Sequence, residues 1–214
     1  MARLRAKDYD DKRAAILEHA AGLFATEGFA AASLSRLAAA CDTSKAALYH
    51  YYQSKEAILF DLLDGHIRLL LETVEAAGRQ PAADARARLR IMVRALIGAY
   101  DQADNEHRVL LNEIGRLAPD QQDQIKAMER AIVARFAAAI AAALPDLAGN
   151  DRWLKPATMS LLGMLNWHYT WFRRNGWLGR EAYADFALAL FLDGAPGALS
   201  AAAGLQPAET AAEV

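Results

Sequence analysis

The sequence has few of the residues that mark secreted, β-rich or membrane-spanning proteins. It contains one cysteine in 214 residues, Cys41, so no disulfide can form within the chain. Stretches of valine, isoleucine and threonine, which are typical of β-strands, are scarce. Apolar runs are far shorter than the about 20 residues of a membrane helix, and no charged and then apolar leader opens the sequence. We therefore expect a soluble, cytoplasmic, all-α protein.

Neither sign of charge dominates. The chain carries 24 lysines and arginines against 26 aspartates and glutamates, a formal net charge of −2. This balance argues against a protein that coats nucleic acid by bulk attraction, but it leaves a local binding site open. The length suits either one large core or a small domain joined to a larger one.

Motifs of catalysis and of metal or cofactor binding are also missing. The sequence has no glycine-rich phosphate loop, no HExxH, no CxxC pair and no serine in an elbow motif. His66, His107 and His168 each stand alone among helical neighbours, without a second ligand at helical spacing. We expect no enzyme activity, no cofactor and no metal site.

Apolar residues repeat at helical spacing through most of the chain. The pattern predicts a first helix over about 11–27 that Gly28 ends, and a second that Ser33 caps. Asp42 tolerates a positive φ, and Thr43 or Ser44 can cap the third helix. Ser54 caps a fourth, which runs to about Gly78. Further helices are predicted at about 83–102, 106–117, 120–144, 152–175 and 180–193, with Pro119 and Pro145 at breaks between them.

The stretch TSKAALYHYYQSK, residues 43 to 55, crowds aromatic and cationic residues onto the predicted third helix. On a helix, Leu48 and Tyr52 point to one side, where they can pack on the first two helices. The opposite side is small in the middle and polar at its edges. That shape suits a helix that enters a major groove about 12 Å wide, with polar residues on the phosphates. The alternative is a half-buried packing cluster.

The longer stretch GFAAASLSRLAAACDTSKAALYHYYQSKEAIL, residues 28 to 59, resembles the N-terminal domain of the TetR family of bacterial transcription regulators. The resemblance implies an Ω-shaped, all-helical homodimer in which three helices bind double-stranded operator DNA and six form an effector and dimerisation domain. The sequence departs from the family pattern at Asp42, where glycine is usual, and at Ala46 and Ala47, where Gly-Thr is common. The implied DNA contacts are Ser33, Ser35, Lys45, Ala46, Ala47, Tyr49, His50, Tyr51 and Lys55.

The segment MARLRAK carries three cations, Arg3, Arg5 and Lys7, ahead of the predicted first helix. It is interpreted either as a disordered basic arm for a minor groove or as plain solubilising charge. We predict a helix-turn-helix domain over 1–54, an effector-binding and dimerisation domain over 55–194, and a mobile tail over 195–214.

The segment MSLLGMLNWHYTWFRRNGWL, residues 159 to 178, is apolar on nearly every side as far as Phe172. This predicts burial all round, between the subunit's own core and a second copy. Gly163 costs about 1 kcal/mol in a helix interior, so it favours a close helix-helix approach. The family resemblance implies a four-helix intersubunit bundle with the helix at 180–193. Our candidate interface residues are Leu161, Gly163, Met164, Phe186 and Leu190.

Within that segment, MLNWHYTWFRRNG resembles the C-terminal region of TetR-family repressors of fatty-acid, steroid and aromatic-acid degradation. This implies a small-molecule effector such as an acyl-CoA or a related carboxylate derivative. The alternative is that these aromatics are core or interface. The candidate effector residues are Asn166, Trp167, Trp171, Arg173, Arg174, Tyr100, Leu96 and Leu110.

Together these features predict a ligand-responsive repressor that binds a palindromic operator as a homodimer and makes no membrane contact. The alternative is a helical ligand-binding or adaptor protein that does not bind DNA. It would leave the polar edge of the third helix without a purpose.

Overall fold

The computed structural model describes residues 2–173 and 175–202, and this part of the chain is all-α, as predicted. It contains nine α-helices and no strand. Short 3-10 turns follow α6 at Ile114–Arg116, α7 at Pro145–Leu147 and α8 at His168–Thr170. The α-helices are α1 Ala2–Glu27, α2 Leu34–Ala40, α3 Lys45–Leu48, α4 Lys55–Arg79, α5 Ala85–Gln102, α6 Asp104–Glu113, α7 Pro119–Ala143, α8 Asp151–Trp167 and α9 Arg180–Ala202.

Three serine hydroxyls begin helices where the sequence predicts caps. Ser33 accepts a hydrogen bond from the amide of Arg36 at 3.2 Å, and Ser44 accepts one from Ala47 at 3.1 Å. Ser54 accepts from Ala57 at 3.1 Å. Each bond satisfies an amide that the first turn of a helix leaves without an intrahelical partner.

The two turns of the N-terminal region have the predicted backbone. Gly28, after α1, has a φ of 80°, and its amide donates to the carbonyl of Phe24 at 3.0 Å. Asp42, between α2 and α3, has a φ of 49°. Both residues therefore lie in the left-handed region that lets the chain reverse within a few residues.

Several helix ends differ from the prediction. Helix α1 begins at Ala2, so the backbone of the predicted basic arm is helical. Helix α8 ends at Trp167, whereas the apolar pattern predicts it to about 175. Helix α9 continues to Ala202, whose buried side chain keeps packing contacts at the helix end. The rest of the predicted tail, residues 203–214, lies outside the described residues.

The chain divides into two compact units. Unit 1 comprises Met1–Ala76 and Gly98–Ile132, and unit 2 comprises Ala77–Ile97 and Val133–Val214. Each has its own apolar core. Unit 1 buries Phe24, Leu37, Leu48, Leu59, Ile67 and Ile125, and unit 2 buries Leu89, Phe136, Ile140, Leu147, Leu161 and Leu165.

Two of the three histidines predicted to stand alone form a buried pair in unit 1, which corrects that prediction. His66 Nε2 lies 3.4 Å from His107 Nδ1, and the His107 ring stacks on Tyr100 at 3.7 Å between centroids. All three side chains are buried. The pairing joins α4, α5 and α6, and spacing within a single helix could not reveal it.

Within the described residues, no helix combines the length and the apolar character that a bilayer crossing needs. The same part of the chain holds no cluster of three or more metal-ligating side chains.

Candidate nucleic-acid interface

Helix α3 is shorter than the predicted reader helix, which the pattern extends over residues 45 to 52. The α-helix ends at Leu48, and the next residues tighten into a turn. The amide of His50 donates to the carbonyl of Ala47 at 3.1 Å, and that of Tyr51 donates to Leu48 at 2.9 Å. Such bonds to the third preceding residue are common where a helix closes.

The inner side of this segment is core, as predicted. Leu48 and Tyr52 are 1% and 5% exposed, and Ile16, Phe24 and Leu37 of the two preceding helices are buried as well. Burial of this set fixes the direction in which the opposite side points.

The Tyr52 hydroxyl also anchors the segment through polar contacts. It donates to Asp61 of α4 and accepts a hydrogen bond of 3.0 Å from Arg13 Nε of α1. Arg13 and Asp61 form an ion pair at 2.9 Å. Burial and the Asp61 contact raise the pKa of Tyr52 well above its usual value, so the hydroxyl stays protonated. Sequence patterns did not reveal this anchor, since Arg13 precedes Tyr52 by 39 residues and Asp61 lies further along the chain still.

The outer side of the segment is accessible and carries most of the predicted DNA contacts. Lys45, Ala46, Tyr49 and His50 are exposed, and Tyr49 exposes 48% of its surface. Ala47 and Tyr51 are half-buried, while Ser33 and Ser35 are exposed at the start of α2. A single ammonium group, phenol and imidazole groups and alanine methyls therefore border an open surface.

Tyr9 extends this surface, although it was not among the predicted DNA contacts. Its ring stacks on Tyr51 at 4.9 Å between centroids with planes 28° apart, and it is 42% exposed. The sequence shows a tyrosine just ahead of the predicted first helix, but no local pattern links it to Tyr51.

Lys55 has a different environment from the one that the family resemblance implies. Its ammonium group donates to the carbonyl oxygens of Phe29 at 2.6 Å and Ala32 at 2.9 Å, and it lies 4.3 Å from the Phe29 ring centroid. The group is thus bound to backbone oxygens of the turn between α1 and α2.

The predicted effector residues fall in both units. In unit 2, Leu96 is buried, Asn166 is half-buried, and Trp167, Trp171 and Arg173 are exposed. Tyr100 and Leu110 belong to the core of unit 1, and Arg174 lies outside the described residues.

The segment after α8 is fixed by the third histidine. His168 is fully buried, its Nδ1 lies 2.7 Å from the carbonyl oxygen of Leu165, and its Nε2 lies 2.8 Å from Arg180. The carbonyl can only accept and the guanidinium can only donate, which places the imidazole proton on Nδ1. Trp171 packs edge-on against Tyr183 at 5.1 Å. Trp171 therefore has a packing partner within its own chain, which supports in part the alternative that these aromatics are core residues.

Helices α8 and α9 leave an apolar face uncovered on the single chain. Met159, Gly163 and Trp167 recur at i, i+4 and i+8 on the exposed side of α8, and Phe186 and Leu190 are 61% and 56% exposed on α9. The predicted burial on every side of α8 is therefore incomplete within one chain. A Cβ added to Gly163 would meet nothing within 4 Å.

Beside this face lies a groove of 410 Å³. Met164 and Leu190, two candidate interface residues, line it together with Trp153, Pro156 and Ser160. Leu161 differs from the prediction, because it is completely buried inside its own chain.

Two protein-family models match the chain. Residues 16–62 match the model described as bacterial regulatory proteins, tetR family, and residues 82–195 match the tetracyclin repressor-like, C-terminal domain. The second match alone spans more than half of the 214 residues.

Solved structures with this fold include a TetR-family transcriptional regulator from Bordetella parapertussis 12822. It is 33% identical, with 92% of this chain and 98% of that chain covered and a TM-score of 0.81. AibR, solved in complex with isovaleryl coenzyme A and operator DNA, is 30% identical, with 84% and 97% covered and a TM-score of 0.74. The HTH-type regulator YerO of Bacillus subtilis is 27% identical over 123 residues, 53% of this chain but only 39% of that protein.

Proposed function

Because the chain belongs to the TetR family of bacterial transcriptional regulators, we propose that it binds a palindromic operator as a homodimer and represses transcription in the cytoplasm. A small-molecule effector releases it. The observation that carries the proposal is the exposed outer side of α3, where small residues lie between Lys45, Tyr49 and His50. Two symmetric copies present identical helices, which is why the operator is palindromic.

The roles of the contact residues follow from their chemistry. Lys45, Tyr49 and His50 bind phosphates at the edges of the groove, and the Ala46 and Ala47 methyls face the bases. Alanine lacks the hydroxyl of the threonine common in the family, so these positions favour thymine methyl groups over polar base edges. The remaining proposed contacts are Ser33, Ser35 and Tyr51.

A second copy of the chain covers the apolar face of α8 and α9. Large exposed apolar patches on soluble proteins mark interaction surfaces, and Gly163 allows a partner helix to approach closely. In the dimer the exposed Met159, Phe186 and Leu190 become buried.

The effector is an acyl-CoA or a related carboxylate derivative. The support is the structure of AibR with isovaleryl coenzyme A and operator DNA, together with Trp167, Trp171 and Arg173, which offer stacking and anion-binding groups. Effector binding shifts the population toward a dimer whose α3 helices no longer match the spacing of about 34 Å between successive major grooves. Thermal-shift titration with acyl-CoAs and the matching free acids tests this class, because a ligand of the native state raises the melting temperature.

The DNA-binding proposal is tested with duplexes selected by the wild-type protein from a random-sequence library. Tyr49→Ala is expected to weaken binding of the selected duplex about tenfold per protomer, the effect of losing one hydrogen bond to a charged group in each copy. Fluorescence anisotropy at fixed salt measures the affinity. Leu69→Ala is the control, since Leu69 of α4 is 47% exposed and Tyr49 48%.

Selection of no duplex by the wild-type protein would refute operator binding and favour the ligand-binding or adaptor alternative. A folded Tyr49→Ala dimer that binds as tightly as the wild type would instead show that the outer side of α3 does not contact DNA.

A further inference from the structure

The turn at residues 28–32, which joins α1 to α2, is held by a cation from α4. Lys55 Nζ donates to the carbonyl oxygens of Phe29 at 2.6 Å, Ala32 at 2.9 Å and Ala30 at 3.4 Å. An ammonium group has three N–H donors and no acceptor. Three backbone acceptors therefore use its full donor capacity, and a phosphate contact would have to replace one of them.

A carboxylate from α6 binds the same turn through a backbone amide. Glu113 Oε1 accepts a hydrogen bond from the Phe29 amide at 3.0 Å, and the Glu113 side chain is only 14% exposed. Its second oxygen, Oε2, lies 3.5 Å from Arg116 Nε. Charge-assisted hydrogen bonds of this kind are stronger than those between neutral groups.

Phe29 itself fits into this arrangement. Its ring is buried, packs edge-on against Phe24 at 5.2 Å and lies 4.3 Å below the Lys55 ammonium. The residue is thus fixed at its amide, its carbonyl and its ring, by side chains of three other helices in unit 1. Four residues later Ser33 caps α2, so the position of Phe29 determines where α2 and then α3 begin.

We propose that Lys55 and Glu113 are positioning residues for DNA binding, which clamp the turn at 28–32 and so set the placement of α2 and α3. This inference rests on the proposed operator binding. It assigns Lys55 a role different from the phosphate contact that the family resemblance implies.

Salt dependence separates the two roles of Lys55. Each phosphate contact contributes about 0.9 to the slope of log affinity against log salt concentration on duplex DNA. With the selected duplex, Lys55→Met is expected to weaken binding three- to tenfold at low salt without changing this slope. Lys45→Met is the matched control at an exposed lysine of α3. It is expected to make the slope less steep by about 0.9 for each protomer contact that is lost. A fall in slope for Lys55→Met like that for Lys45→Met overturns the proposal.

Amide hydrogen exchange tests the clamp without DNA. Exchange at Phe29 and Ala32 is expected to be roughly three- to tenfold faster in Lys55→Met than in the wild type, and unchanged in Lys45→Met. Unchanged exchange in Lys55→Met also overturns the proposal. Because this readout needs no duplex, it remains decisive even if the wild-type protein selects no DNA.

Glu113 supplies a second variant pair in case Lys55→Met folds poorly. Glu113→Gln keeps an oxygen that can accept the Phe29 N–H, whereas Glu113→Ala removes it. We expect Glu113→Ala to speed Phe29 exchange and weaken DNA binding three- to tenfold at constant salt slope. Glu113→Gln, which keeps the oxygen but not its charge, is expected to lie between Glu113→Ala and the wild type. Wild-type exchange and affinity in Glu113→Ala would overturn the role of Glu113.

Discussion

At the scale of single residues, the buried pair of His66 and His107 has a defined effect on stability. Removal from water penalises the charged imidazole and lowers the pKa of His66 to about 4. His66 therefore packs as a neutral group near pH 7, and a hydrogen bond across the 3.4 Å contact requires one ring to donate to the other. Burial also raises the pKa of the neighbouring Tyr100, which stays protonated.

The sign of the resulting pH dependence follows from proton binding. In the unfolded chain the histidine binds its proton at an ordinary pKa near 6.5, whereas in the folded protein His66 binds it only near pH 4. The stability due to neutral His66 is complete above pH 6.5 and is lost as the pH falls toward 4, by as much as about 3 kcal/mol. His66→Gln is expected to flatten this part of the curve, as measured by urea unfolding at several pH values.

The control for this prediction is His50→Gln, because His50 is exposed in the turn after α3. It is expected to leave the pH dependence of the unfolding free energy unchanged. If the His66→Gln and wild-type curves run parallel between pH 4 and 6.5, the buried imidazole is not the group that titrates.

At the scale of elements, the turn between α2 and α3 depends on one strained residue. Among the described residues, Asp42 is the one non-glycine residue with a positive φ. A residue with a Cβ pays roughly 1–2 kcal/mol in that region, whereas glycine adopts it freely but loses more chain entropy on folding. Asp42→Gly is therefore expected to raise the free energy of unfolding by about 0.5–1 kcal/mol, measured by urea denaturation.

Thr43→Gly is the comparison for that substitution, because the next residue has no positive φ to relieve. It is expected to lower stability through the entropy of the unfolded chain alone. A less stable Asp42→Gly protein would mean that the aspartate side chain makes a compensating interaction.

The same elements show what the sequence could and could not predict. Serine caps, Gly28 and Asp42 were predicted correctly because their effects act over three or four residues. The early ends of α3 and α8 were not, since tertiary contacts of Tyr52 and His168 shape these segments. The DNA-contact assignments remain predictions. The Tyr52 anchor and the clamp by Lys55 and Glu113 involve residues from 9 to 84 positions apart, which periodicity cannot connect.

At the scale of the whole molecule, the uncovered apolar face of α8 and α9 determines the proposed dimer. A charge placed at Leu190 would be buried without a partner in the assembly, which costs several kcal/mol. Leu190→Glu is therefore expected to yield folded monomers in sedimentation-velocity experiments, with loss of binding to a palindromic duplex. Leu69→Glu, at an exposed leucine of α4, should remain dimeric.

If Leu190→Glu remains dimeric, the dimer interface lies on another surface of the chain. Circular dichroism of both variants checks that each is folded, so that a monomer can be attributed to the surface.

The anchor of Tyr52 bears on how this protein can be dissected and reused. A helix of four residues has no stability of its own in water, so α3 depends on the burial of Leu48 and on the contacts that Tyr52 makes with Asp61 and Arg13. Lys55 and Asp61 both belong to α4. A DNA-binding domain transferred to another regulator must therefore include the first two turns of α4. A chimaera joined after residue 54 would lack Lys55 and Asp61, and its third helix would lose these supporting contacts.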